Sequence, residues 1–182
     1  MAGMVPLIAV VVIVARAAAQ TPGACECDPT RPETMSVRQC SLCSEAEKQA
    51  PGARVFFLKD VNPRKPNRWL ALPRVHGAAK HELADLTPAE RTELWTAAIT
   101  KAKELWGDEW GVAYNGNKVR TQCHAHVHIG KLLKGVETGN FIVVRGPAEI
   151  PSPGDEGLWI HPHGKKLHVH VKEQTTETVL LR

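Results

Sequence analysis

The sequence has no block of like charge. Its net charge of +4 is mild and its Lys and Arg residues are scattered, which leaves no basic surface for a nucleic acid. A long hydrophobic run is missing as well. Residues 4–14 are almost wholly apolar, but a run of about ten residues is half of what a bilayer-spanning helix needs. Nothing in the composition marks the chain as disordered. Its 182 residues suffice for one domain with a proper core but not for two comfortable ones.

The short apolar run has a use of its own. Followed by Arg16 and by Ala17-Ala18-Ala19, it fits a secretory signal peptide over residues 1–19 with an Ala-x-Ala cleavage pattern. An uncleaved membrane anchor is the other reading, and in both cases the chain is expected to be exported, periplasmic or extracellular. Cysteines are few: Cys25, Cys27, Cys40, Cys43 and Cys123. In an exported chain the four near the N-terminus can form two disulfides, leaving Cys123 odd. Cys40-x-x-Cys43 is also a zinc half-site that needs two more ligands. Spacing does not separate these readings.

What the chain does have is a run of alternating histidines, His124-Ala125-His126-Val127-His128-Ile129-Gly130. Side chains of a β-strand alternate between faces, so this spacing predicts three imidazoles on one face and Ala125, Val127 and Ile129 in the core. A row of imidazoles suits metal ligation or nucleophilic and acid–base chemistry near neutral pH. A polar strand face meeting solvent is the plainer reading.

Around this run the chain reads as follows. Residues 20–38 form an irregular arm rich in Pro, Thr, Asp and Arg. Strands are expected over residues 54–58, 69–72, 110–114, 124–130 and 141–144, bounded by turn residues. The clearest helix starts at a capping box of Thr87 and Glu90 with Pro88 at its first position. Its apolar stripe runs through Leu94, Trp95, Ala98, Ile99, Ala102, Leu105 and Trp106, and Gly107 ends it. His81 reads as a surface residue of the linker before that helix. After a Pro/Gly-rich loop, residues 158–160 and 167–171 form further strands carrying His161, His163, His168 and His170. These read as surface hairpin strands, or else as a second metal site or an extension of a pocket. Strands around one long helix predict an α+β domain with an antiparallel sheet.

Several segments together resemble the histidine-triad (HIT) superfamily of nucleotide hydrolases and transferases. They are Cys40-x-x-Cys43, Asp60-Val61-Asn62-Pro63, Leu72-Pro73-Arg74-Val75-His76, residues 85–90 and the triple histidine. The resemblance covers roughly residues 40–131, implying a HIT-like domain over residues 39–145 followed by a short β-rich C-terminal extension over residues 146–182. Within the superfamily the chain is most similar to the CDP-diacylglycerol pyrophosphatase family, through Leu58-Lys59-Asp60-Val61-Asn62 and through Arg120-Thr121-Gln122 before the histidines.

The resemblance implies a phosphohydrolase that acts on a nucleoside diphosphate conjugate, CDP-diacylglycerol first, through a covalent nucleotidyl-histidine. His126 then matches the nucleophile, His128 lies beside it on a phosphate oxygen, and Thr121 bonds the leaving-group or phosphate oxygen. Arg120, Asn115 and Gln122 bind the substrate, Arg120 with a permanent charge suited to phosphate. Arg68 stands where the family often has a histidine supporting the active site. Zinc-bearing relatives imply a closed structural site of Cys40, Cys43, His76 and His124. A homodimer and a membrane phospholipid as partner are further implications. Two other readings remain: a soluble dinucleotide or nucleotide-conjugate hydrolase, and a metal-binding protein that catalyses nothing.

Overall fold

A computed structural model of the chain describes residues 25–76 and 82–182. The expected signal segment, the start of the arm and His81 lie outside the described residues. The elements run α1 (Pro32–Met35), α2 (Ser41–Glu47), β1 (Val55–Lys59), β2 (Trp69–Pro73), α3 (Pro88–Trp106), β3 (Trp110–Tyr114), β4 (Val127–Lys131), β5 (Phe141–Val144), β6 (Gly157–His163) and β7 (Lys166–Glu173). Among the described residues the strands make one sheet in the order β1-β2-β4-β3-β6-β7-β5, antiparallel throughout. The expected α+β architecture with an antiparallel sheet and one long helix is what the chain adopts.

Local chemistry sets α3. Thr87 accepts from the Glu90 backbone N–H while the Glu90 carboxylate takes the Thr87 N–H, so two amides that no helical carbonyl can reach are satisfied. At the other end Gly107 takes φ 56°, a left-handed conformation that a side chain would disfavour. Leu94, Trp95, Ala98, Ile99 and Ala102 are buried against Val112, Val127, Ile129, Ile160 and Val169 of the sheet. Burying each large apolar side chain is worth roughly 1.5–3 kcal/mol, which makes this the main core. Leu105, expected on the stripe, is 37% exposed, and in that last turn Trp106 packs against the core in its place.

The opposite face of the sheet is covered by other segments. On β1 and β2, α2 packs Leu42 and Ala46 against Phe56, Leu70 and Leu72. On β3 and β4 lies the C-terminal tail. A Cβ on Gly111 would meet Leu180 Cδ2 at 2.6 Å, and one on Gly130 would meet Leu180 Cβ at 3.1 Å. This cross-strand glycine pair therefore opens the slot that Leu180 fills. Within the β-rich 146–182 segment, β6 pairs with β3 in the sheet, and the tail packs beneath β3 and β4.

Arg68 is what holds the tail. Only 1% exposed, its guanidinium donates to the carbonyls of Leu181 (3.0 Å) and Leu180 (2.6 Å) and to Glu177 Oε2 (2.8 Å). Lys65 also pairs with Glu177. Burial alone would raise the Glu177 carboxyl, but the His128 ring once it is protonated at low pH, the Lys65 ammonium and the Arg68 guanidinium outweigh it and hold the group down to about 2. Glu177→Ala leaves Arg68 buried without its counter-charge and should cost about 2–3 kcal/mol in urea denaturation. A depressed carboxyl stabilises fully above its unfolded value of about 4.3 and loses that contribution as pH falls through about 2. The stability gap between wild type and Glu177→Gln should therefore narrow from pH 5 downward; a constant gap would exclude this pairing.

Candidate active site

β4 and the loop before it bring His126 and His128 to one cavity of about 690 Å³. Its wall also carries Asp60, Lys65, Asn115, Arg120, Thr121, Gln122 and Glu177. The sequence-based strand was too long: β4 starts at Val127, and His124 and His126 sit in the irregular segment before it. The three imidazoles consequently do not converge on one cavity. His126 and His128 meet edge to face with centroids 5.0 Å apart. His124 turns away, lying 5.3 Å from the His76 ring with its Nδ1 3.9 Å from Cys43 Sγ.

That break in the strand is what orients His126. Its Nδ1 lies 2.8 Å from the His124 carbonyl oxygen, which accepts only, so Nδ1 carries the proton and Nε2 keeps its lone pair. Burial pushes the imidazole down to about 4 against a favourable backbone bond, leaving it neutral near pH 7. His128 is pushed well below its ordinary value by burial and then by His126. Its Nε2 lies 3.4 Å from Asn115 Nδ2, and its Nδ1 faces Glu177 Oε2 at 3.6 Å.

Asn115 does more than line the wall. Its Oδ1 accepts from the Thr176 N–H, the Thr176 hydroxyl and the Glu177 N–H, which turns its NH₂ toward His128. The 3-10 turn Thr176–Val179 is thereby fixed under the site and presents Glu177. Arg120 is 2% exposed, no solvated loop cation; it donates to Tyr114 Oη (2.7 Å) and lies 3.4 Å from Glu82. Thr121 is exposed on the wall. Gln122 bridges instead to the N-terminal segment, accepting from Ser41 Oγ and donating to the Arg38 carbonyl. Glu177, Lys65 and Tyr114 were not singled out from the sequence. Glu177 sits in a tail without periodicity, and no local pattern marks it.

The cysteines correct both earlier schemes. Cys40 is bonded to Cys27 and Cys123 to Cys25, while Cys43 is free. Cys40 therefore offers no thiolate to the expected four-ligand zinc set, and Cys123 is not the odd one. The pairing follows from the chain path: the loop before the histidines lies against the arm, with the Cys123 N–H on the Gln39 carbonyl at 2.8 Å. Three of the expected ligands do meet. Cys43 Sγ and a ring nitrogen each of His76 and His124 lie within 4.8 Å of one another. His76 Nδ1 is buried without a hydrogen-bond partner, its Nε2 is 2.5 Å from Glu47, and His124 Nε2 is 2.7 Å from the Pro73 carbonyl. A thiol and two imidazoles held from behind by a carboxylate and a carbonyl fit a zinc ion.

Comparison with known proteins bears on this geometry. Over 110 residues the chain is 26% identical to the adenosine 5'-monophosphoramidase HNT1 of Saccharomyces cerevisiae, a stretch covering 57% of this chain and 68% of the yeast protein. The match supports the histidine-triad superfamily. No family profile matches the chain. A solved structure, a DUF4931 family protein (BCE0241) of Bacillus cereus, is 14% identical with a TM-score of 0.49, over 68% of this chain and 84% of that one. Nothing in these comparisons singles out the CDP-diacylglycerol branch of the histidine-triad superfamily.

Two disulfides and one thiol set a direct expectation. Denatured, unreduced protein should react with one equivalent of a thiol reagent, and peptide mapping should find the label on Cys43. Reduction should destabilise the fold strongly, because the Cys25–Cys123 bridge spans 98 residues and closing a loop of that size is worth about 4–5 kcal/mol. Label on Cys123 would refute the pairing.

Proposed function

We propose that this chain is a histidine-triad hydrolase that cleaves nucleoside 5'-phosphate conjugates through a nucleotidyl intermediate on His126. The observation that carries it is the His126 Nδ1 bond to the His124 carbonyl, which leaves an unprotonated Nε2 on a residue lining the cavity. In the first step Nε2 forms a bond to the α-phosphorus and the bond from phosphorus to the leaving group breaks, the leaving group taking up a proton from solvent that the attacking water of the second step returns. In the second, water attacks the same phosphorus, the N–P bond breaks, and the nucleoside monophosphate departs with His126 neutral again. Arg120, Arg38 and Lys59 on the wall compensate phosphate charge, and the Thr121 hydroxyl donates to the leaving-group oxygen. Asp60, also on the wall, is an acceptor suited to a ribose diol.

For the conjugate's second half, CDP-diacylglycerol is supported by the resemblance of residues 58–62 and 120–122 and by the apolar Leu42, Leu58, Val61 and Leu70 on the cavity wall. The activity named for the yeast relative favours a second reading, an adenosine 5'-phosphoramidate. Export fits two disulfides, which persist in oxidising compartments. Among the described residues no helix is long and apolar enough to cross a membrane.

Zinc belongs to this proposal as a structural ion held by Cys43, His76 and His124. Bound metal would deprotonate the Cys43 thiol, which burial otherwise pushes up to about 12.

The function test offers CDP-diacylglycerol in mixed micelles and adenosine 5'-phosphoramidate to the purified protein and follows release of CMP or AMP. His126→Asn should lose at least a thousandfold in turnover with circular dichroism unchanged, as is usual when a covalent nucleophile goes. Activity above about a tenth of wild type would reassign the nucleophile. For zinc, His76→Ala should lose one metal equivalent and melt earlier, and a chelator should lower the wild-type Tm to match; no zinc in protein purified with its disulfides intact would remove the ion from the proposal.

A further inference from the structure

The C-terminal hairpin carries a second group of histidines far from the cavity. His161 and His168 are direct cross-strand partners between β6 and β7, and Trp159 opposes His170. In register, His128, Ala113, Trp159 and His170 form one row across β4, β3, β6 and β7. His170 therefore shares a sheet face with His128 but stands three strand steps away, roughly 14 Å. None of the hairpin histidines lines the cavity.

Their arrangement is specific. A ring nitrogen of each of His161, His168 and His170 lies within 4.8 Å of the others, and all three residues are buried. His161 Nδ1 is 3.0 Å from the Pro162 carbonyl, so it bears the proton and leaves the Nε2 lone pair inward. His170 Nδ1 bonds Thr138 Oγ1 at 3.1 Å, and Thr138 in turn reaches Glu173. The two Nε2 atoms face each other at 3.2 Å, close to the N–N edge of about 3.3 Å that Zn–N bonds of 2.0–2.1 Å give in a tetrahedron. His168 Nδ1 is buried with no hydrogen-bond partner. A Glu137 carboxylate oxygen lies 3.6 Å from His161 Nε2 on a side chain 61% exposed, free to adjust at the lip of the group.

Aromatic contacts hold each ring in place. Trp159 stacks on His170 at 3.6 Å and 5°. Phe141 and His163 both stack on His168, at 4.2 Å and 3.7 Å. Orientation of ligating imidazoles by a surrounding shell is what metal sites require. An ordinary hydrogen bond between His161 and His170 would explain their contact alone; it leaves His168 Nδ1 unsatisfied and gives Glu137 no task.

We propose that His161, His168 and His170, with Glu137 as fourth ligand, form a binding site for a divalent d-block cation of the zinc type. Three imidazoles and a carboxylate suit zinc, cobalt or nickel over calcium or magnesium. The ion would clamp β6 to β7 and pin the loop carrying Glu137 and Thr138 over the sheet. The site is independent of the hydrolase proposal.

Cobalt(II) reads it out without reference to activity. Full-length protein carrying His76→Ala, which disables the Cys43 site, is stripped of metal and titrated with Co2+. One equivalent should bind with the visible spectrum of a nitrogen–oxygen site and without thiolate charge transfer. His168→Gln and His161→Gln should weaken that binding by at least about tenfold, each with unchanged circular dichroism. Glu137→Gln, at an exposed position that disturbs no packing, should weaken it measurably too. No cobalt bound by His76→Ala, or binding that survives both histidine substitutions and Glu137→Gln, overturns the site.

Discussion

The buried Arg68 guanidinium is the constraint on which the rest of this molecule turns. A charge that is 1% exposed is tolerable only if its donors are matched, and here two tail carbonyls and Glu177 match them. The consequence reaches well beyond β2. The tail is drawn under the sheet, Leu180 enters the slot left by Gly111 and Gly130, and Glu177 arrives beside His128. Where a supporting histidine was expected from family resemblance, this chain uses an arginine that supports the site at one remove, by fixing the segment that does.

The cavity shows the converse use of burial. His126 and His128 are deeply enclosed, which keeps both imidazoles neutral, and one backbone carbonyl decides which His126 nitrogen is available. The strand β4 begins only at Val127, and the carbonyl of His124, two residues before His126, takes the His126 Nδ1–H. The same late start sends His124 to Cys43 and His76, so one irregularity separates a chemical site from a ligand cluster. The Cys25–Cys123 disulfide acts on the same segment from outside, anchoring Cys123 at its start.

Much of the fold was legible because it rests on local rules. The Thr87–Glu90 capping box, the stripe from Leu94 to Ala102 and the turn-bounded strands are short-range patterns, and the structure keeps them. So is the choice of His126 and His128 as neighbours on one wall of a cavity. Errors came where local pattern was extended too far: alternation suggested a strand through His124, and periodicity placed Leu105 on the buried stripe although it turns outward while Trp106 packs inward. Alternation also showed that residues 146–182 hold strands, but not that one of them pairs with β3.

The sequence by itself determined an α+β antiparallel scaffold, the helix and its ends, and a row of alternating histidines suited to metal ligation or nucleophilic and acid–base chemistry. Tertiary structure alone decided which cysteine is free, where His124 points, that Glu177 joins the site, and that the hairpin histidines converge. The reason is distance along the chain. Arg68 meets Leu180 across 112 residues and Cys25 meets Cys123 across 98, and such contacts are fixed by how packed layers close on one another, not by any preference of the residues near them in sequence.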